Sequence, residues 1–323
     1  MQLVLIYFVL GFATFQGSTL LPLFVSLLFQ TENQKMPTML CISTMLTTLT
    51  VLLLISLPRF SVGCYTRIFC FGDSLTDTGN FKHIAGNDTS YLGTHPPYGE
   101  TYFYRPTGRY SNGRVFADYF GEIGANDYLI PSAVYTPFRE IYTFVPGVIS
   151  AINFSIKELI ELGAKTLVVP RLVPFGCAPF YLTMFQSRNK QDYDKKTGCI
   201  KWLNEFSNYH DKLLKKELHK LRQLYPHATI LYADYYGATI NIFKSPKDYG
   251  FDTPLFACCG GDGPYNFSRS VNCGDAGSRV CANPSKYVSF DGFHFTDAAN
   301  KMIVHEVMKK LHKKFTECKP HSN

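Results

Sequence analysis

Three side chains from opposite ends of the chain could together activate a hydroxyl for attack on a carbonyl carbon. Ser74 closes the run Gly72-Asp73-Ser74, and far downstream stands Asp291-Gly-Phe-His294. A hydroxyl attacks a carbonyl poorly until a base takes its proton. An imidazole steadied by a carboxylate is a fitting base. An Asp and a His three residues apart can share one turn, so that the carboxylate holds one ring nitrogen while the other faces the hydroxyl. Each motif is weak alone. A Ser after a strand is more often a helix cap, and an Asp-x-x-His is more often a pair of polar residues on the surface than a site. Together in one α/β domain they are a stronger signal, because such sheets gather function at the carboxyl ends of their strands.

The elements that must position these groups follow from periodicity. Residues 67–71 read as a short apolar strand that ends at Ser74. Residues 84–112, rich in Gly, Pro, Thr and Tyr, read as a long surface loop. An amphipathic helix is expected over 146–162, with Pro146 at its start and Gly163 just past its end. Residues 165–169 form a buried strand, 201–225 a second long helix, and 228–233 another strand. Residues 250–286 are Gly- and Cys-rich loop. A last helix spans 296–315 with Thr296 as its N-cap. Strands alternating with helices predict an α/β domain with a parallel sheet.

Composition bounds the setting. The chain has 323 residues, 46% of them hydrophobic, which is enough for one large domain, taken as 64–323. The net charge of +7 is scattered, and its densest part, Lys215 to Arg222, suits a solvated helix face better than a nucleic-acid patch. No nucleic-acid partner is expected. Residues 1–31 carry no charge, and neither do residues 36–58. The second run ends in Ser61-Val62-Gly63, small residues suited to signal peptidase. A signal peptide over 36–63 behind an extension, 1–35, is the favoured reading. A membrane anchor in 1–31 is the alternative. Three N-x-S/T sequons, at Asn87, Asn153 and Asn266, and ten Cys agree with secretion, glycosylation and disulfides.

Cys177 and Cys199 flank a loop and look like one bridge. Cys258, Cys259, Cys273 and Cys281 could supply two more, with the pairing open, or four thiols for a zinc ion. His210, His219, His305 and His312 fall on helical patterns and are expected to be exposed and silent. The abundant Tyr and Phe belong to core and loop packing, with some left to line an acyl pocket.

Six stretches in order resemble one family. FCFGDSLTDTGN (69–80) resembles the first signature block of the plant GDSL esterase/lipase family within the SGNH hydrolases. PTGRYSNGRVFADY (106–119), GEIGANDY (121–128), VVPRLVPFGCAP (168–179), YADYY (232–236) and VSFDGFHFTDAA (288–299) are similar to later blocks. The resemblance covers residues 64–318. It implies a flavodoxin-like three-layer α/β/α fold and an acyl-enzyme mechanism on small or lipid-like esters. Ser74 would be the nucleophile, His294 the general base, and Asp291 the residue that orients it. Asn126 and the Ser74 backbone N–H would be oxyanion donors. The family uses no cofactor or metal, and a monomer is expected.

One block of the family pattern is missing. A stretch of the type N-F-A-x-x-G-A, whose Gly supplies a third oxyanion donor, should lie between 106–119 and 121–128. Ser74 and Asn126 are only 52 residues apart. A βαβ unit takes about 30 residues or more, and 84–112 is mostly loop, so a strand and a helix do not fit. An internal deletion is expected near Phe120, from a splice form, a faulty gene assembly or a true lineage loss. Impaired activity, or a non-enzymatic relative, is the alternative it raises.

Overall fold

The structure, a computed structural model, describes residues 3–4, 69–85, 91–118 and 125–315. The signal segment 36–63, Asn87 and the seam near Phe120 lie outside the described residues, as does the anchor alternative over 1–31 apart from residues 3–4. By contact the chain divides into Met1–Phe8 with Cys64–Asn323, and Val9–Gly63. Everything below concerns the first unit.

Its elements run β1 (Leu3–Val4), α1 (Asn80–Ala85), α2 (Asn126–Ala133), α3 (Phe138–Glu161), β2 (Ala164–Pro170), α4 (Pro179–Met184), α5 (Lys201–Leu224), β3 (Thr229–Ala233) and α6 (Tyr235–Lys244). Then come β4 (Thr253–Ala257), β5 (Cys259–Gly260), β6 (Arg279–Val280), β7 (Tyr287–Ser289) and α7 (Asp297–Phe315). The main sheet has the order β1-β2-β3, all parallel. β4 pairs with β7 in parallel, and β5 with β6 antiparallel.

Alternation along β2 and β3 makes the layers. Side chains on a strand point to opposite faces in turn. Leu167, Val169 and Ile230 enter a core with the Ile stripe of α3 and the Leu and Phe stripe of α5. Val168, Leu231 and Ala233 face the other way, into a core with α6 and α7. Helices thus cover both sheet faces, and the architecture is α/β, consistent with three layers.

Several expectations change on the structure. No strand forms at residues 69–71, and Phe69 and Phe71 stand exposed. A strand needs a partner edge for its N–H and C=O groups, and this stretch pairs with none among the described residues. The helix expected from Pro146 begins eight residues earlier, at Phe138, with Pro146 inside it. The buried stripe Ile141, Val145, Ile149, Ile152, Ile156 and Ile160 runs through the proline on both sides, so packing outweighs the lost backbone bond. Gly163, at φ +100°, follows the helix end as expected. The 84–112 stretch is not all surface, since Tyr98, Ser111 and Asn112 are buried. The 250–286 loop contains β4, β5 and β6. The expected last helix is present, and Thr296 Oγ1 accepts the Ala299 N–H at 3.1 Å as its cap.

The cysteines settle into bridges. Cys177 bonds Cys199, Cys258 bonds Cys281, and Cys259 bonds Cys273. The four thiols read as a zinc alternative are therefore consumed as disulfides. Cys70 is free and exposed. His210 corrects another expectation. It is buried in α5, on the same stripe as Leu203, Phe206, Leu214 and Leu218. His219 is exposed and lies 3.2 Å from Gln223 Nε2, and His305 is exposed. The His312 side chain lies outside the description.

Candidate active site

Ser74 sits in a tight turn. The Thr76 and Asp77 N–H groups both donate to the Asp73 carbonyl at 2.9 Å, and the Leu75 N–H donates to Asp73 Oδ1 at 3.0 Å. The turn is pinned from behind, because the Phe116 N–H donates to the Leu75 carbonyl. Asp77 then caps α1, accepting from the N–H groups of Gly79, Asn80 and Phe81. Thus a local turn aims the Ser74 hydroxyl, without the strand that the sequence suggested would lead into it.

The partner side chains come from the turn after β7. The Phe290 N–H donates to the His294 carbonyl at 2.7 Å, and Ser289 pairs with Phe295, so the five residues from 290 to 294 are folded back on themselves. Gly292 makes the reversal possible at φ +99°, a region that costs an L side chain steric strain. A Cβ there would also lie 2.3 Å from the Phe267 ring. On this turn Asp291 Oδ1 accepts the Phe293 and His294 N–H groups at 3.0 and 2.8 Å. Asp291 Oδ2 lies 2.7 Å from His294 Nδ1.

The arrangement converges on Ser74. His294 Nε2 lies 2.7 Å from Ser74 Oγ. Since Nδ1 faces a carboxylate, Nδ1 carries the proton and Nε2 accepts from the serine hydroxyl. Asp291 and His294 are buried. Burial alone would raise the Asp291 carboxyl. The His294 ring and the hydrogen bonds from His294 and Phe293 outweigh it and hold the carboxyl below its ordinary value. The carboxylate therefore stays ionised in a dry setting, where it can stabilise an imidazolium. Such a set can activate a hydroxyl against an acyl carbon and return the proton to a leaving group.

Asn126 is the first residue of α2, and it lines both cavities that meet at Ser74. Within the stretch GEIGANDY, the chain is helical from Asn126 onward. One cavity is narrow and mainly apolar, lined by Leu75, Leu129, Val173, Phe175, Tyr181, Phe243 and Phe293 beside Ser74 and His294. These include the aromatic residues that composition could not single out. The other is an open cleft edged by Asp77, Asn80, Phe81, Ile84 and Tyr110.

Sequence reasoning missed Tyr98. It is fully buried, and its O–H donates to Asp291 Oδ2 at 2.8 Å. Nothing in the local sequence points across the 193 positions between them. Of the sequon residues, Asn153 is half-buried within α3, and Asn266 Nδ2 donates to the Ala257 carbonyl at 2.7 Å.

Known proteins share this chain's pattern. The family model described as GDSL-like Lipase/Acylhydrolase matches residues 119–307, a span that holds Asn126, Asp291 and His294 but not Ser74. A GDSL esterase/lipase of Arabidopsis thaliana is 35% identical over 76% of this chain and 84% of its own length. A second from the same plant is also 35% identical, over the same shares. The sinapine esterase of Brassica napus is 34% identical over 76% of this chain and 85% of its own length. The chain belongs to the GDSL lipase/acylhydrolase family and is a carboxylic-ester hydrolase of the plant GDSL esterase/lipase type.

Proposed function

We propose that the chain hydrolyses esters through an acyl-enzyme formed on Ser74. The observation that carries this reading is the unbroken chain of contacts from Ser74 Oγ to His294 Nε2 and from His294 Nδ1 to Asp291 Oδ2, each 2.7 Å. His294 takes the hydroxyl proton as Ser74 Oγ bonds to the acyl carbon. The tetrahedral oxyanion is met by the Asn126 side-chain amide and the Ser74 backbone N–H. His294 then gives the proton to the leaving alcohol. Water, activated by the same imidazole, releases the acid and frees Ser74. The apolar cavity beside Ser74 suits an acyl chain, so lipid-like acyl groups are the expected substrates. A monomer without metal or organic cofactor meets these needs.

The reading includes secretion. It is supported by three disulfides, which persist in oxidising compartments, and by the apolar run that ends in small residues at 61–63. Cleavage after Gly63 would take β1 with it and leave one edge of β2 open.

An internal deletion near Phe120 belongs to the same proposal. The alignment with the first Arabidopsis relative runs over 329 positions, more than the 323 residues of the whole chain, although only 76% of the chain takes part. This favours a second reading, a family member weakened by a lost oxyanion donor, at about 10²–10³ in rate.

Hydrolysis of p-nitrophenyl butyrate by the expressed chain and by Ser74→Ala tests the function. Turnover is expected in the first and not in the second. Equal background rates in both would refute an active enzyme and leave the non-enzymatic relative.

A further inference from the structure

Tyr98 touches the Asp291–His294 pair from outside the two cavities at Ser74. Its side chain is 0% exposed, and its hydroxyl donates at 2.8 Å to Asp291 Oδ2, the oxygen that also faces His294 Nδ1. A buried phenol needs an acceptor. For packing alone any carbonyl would serve. Here the acceptor is the one oxygen through which the carboxylate acts on the imidazole. Oδ1 is occupied by two backbone N–H groups. With Tyr98 the carboxylate has two donors on each oxygen, and rotating it would break all four.

Tyr98 is held in turn. Its ring meets Phe290 edge-on at 5.2 Å and packs with the half-cystines Cys258, Cys259 and Cys273. The other titratable groups facing the pair are His95 and Tyr110, whose rings lie 6.3 and 6.2 Å from Tyr98, and the Asp275 carboxylate. Burial first, and then the Asp291 charge, keep the Tyr98 proton in place far above the usual tyrosine range. The phenol is thus a donor throughout the working range of a histidine base.

We propose that Tyr98 is a positioning residue for the ester hydrolysis, one that fixes the Asp291 carboxylate and sets how strongly His294 takes up the Ser74 proton. This rests on the roles given above to Ser74, His294 and Asp291. A donor on Oδ2 draws off part of the carboxylate charge that the imidazolium would feel. Losing that donor makes His294 more basic and leaves the carboxylate free to turn. Tyr98 lines neither cavity at Ser74, so substrate binding should not register the change.

The test compares wild type, Ser74→Ala and Tyr98→Phe on p-nitrophenyl butyrate across the acid limb of the pH–rate profile, with thermal unfolding alongside. For Tyr98→Phe, kcat should fall roughly tenfold to a hundredfold, the range for a lost donor to a charged acceptor. KM should stay within about twofold, and the acid limb should move to higher pH. An unmoved acid limb overturns the proposal, whether kcat is wild-type or falls with the amount of folded protein. If Tyr98→Phe does not fold, 3-fluorotyrosine placed at position 98 keeps the ring and strengthens the donor. The acid limb should then move to lower pH, and no movement overturns the proposal. A wild-type rate that survives Ser74→Ala refutes the parent reading in an arm that does not involve Tyr98.

Discussion

Ser74 Oγ and His294 Nε2 stand 2.7 Å apart although 220 positions separate them in the chain. Two independent turns bring this about. One is closed by Asp73 at the amino end, and the other by Asp291 and Gly292 at the carboxyl end. Neither turn uses the strand that fails to form at 69–71. The contact therefore does not depend on a strand at 69–71.

Asp291 is expected to matter more through the tautomer it selects than through its charge. Asp291→Asn would present an amide N–H to His294 Nδ1 and push the ring proton to Nε2, where it blocks acceptance from Ser74. The kcat on p-nitrophenyl butyrate should drop by roughly 10⁴ with the fold intact. A drop of less than tenfold in well-folded protein would remove Asp291 from the machinery.

Asn126 should act on the transition state alone. Asn126→Ala is expected to lower kcat by about 10²–10³ with little change in KM. Should KM rise while kcat holds, Asn126 binds the ground state and the oxyanion role is wrong.

His210 should govern acid stability. It is buried against the Tyr128 ring, with neither nitrogen hydrogen-bonded among the described residues. Burial lowers its value from 6.5 to about 4, with Asp211 opposing and Arg171 assisting. The unfolded chain then takes up the proton first, so stability falls as pH drops from 6.5 towards 4 and is unaffected above. The loss amounts to as much as about 3 kcal/mol. His210→Phe keeps the ring contact and should flatten that dependence in urea unfolding at neutral and acid pH. Parallel curves for the two proteins would refute it.

Gly292→Ala tests the turn that carries Asp291 and His294. The backbone at φ +99° and the Phe267 ring both oppose a Cβ, and that ring is wedged between Phe180 and Phe293. A loss of roughly 1–3 kcal/mol is expected, read as a lower Tm, together with a lower kcat. An unchanged Tm would mean the turn is more pliable than its contacts imply.

How much was legible in the sequence depended on the range of the interaction. Ser74 and the Asp291–His294 pair are local motifs, and the strands 164–170 and 229–233 announce themselves as apolar runs. Tyr98 acts on a group 193 residues away, which no window along the chain can see. Pro146 was misplaced because a local rule for proline lost to a buried stripe of six residues. The strand at 69–71 fails for the opposite reason, since propensity without a partner edge leaves Phe69 and Phe71 in solvent. His210 was readable after all. It falls three or four residues from apolar neighbours on one face of α5, the spacing of a buried position.

The most direct test of the Ser74–His294 pairing is covalent. The expressed chain is treated with a fluorophosphonate, and its peptides are examined by mass spectrometry. The account predicts one phosphonyl adduct on Ser74 that vanishes in His294→Ala. An unlabelled Ser74 in folded protein, or an equal yield without His294, would contradict it.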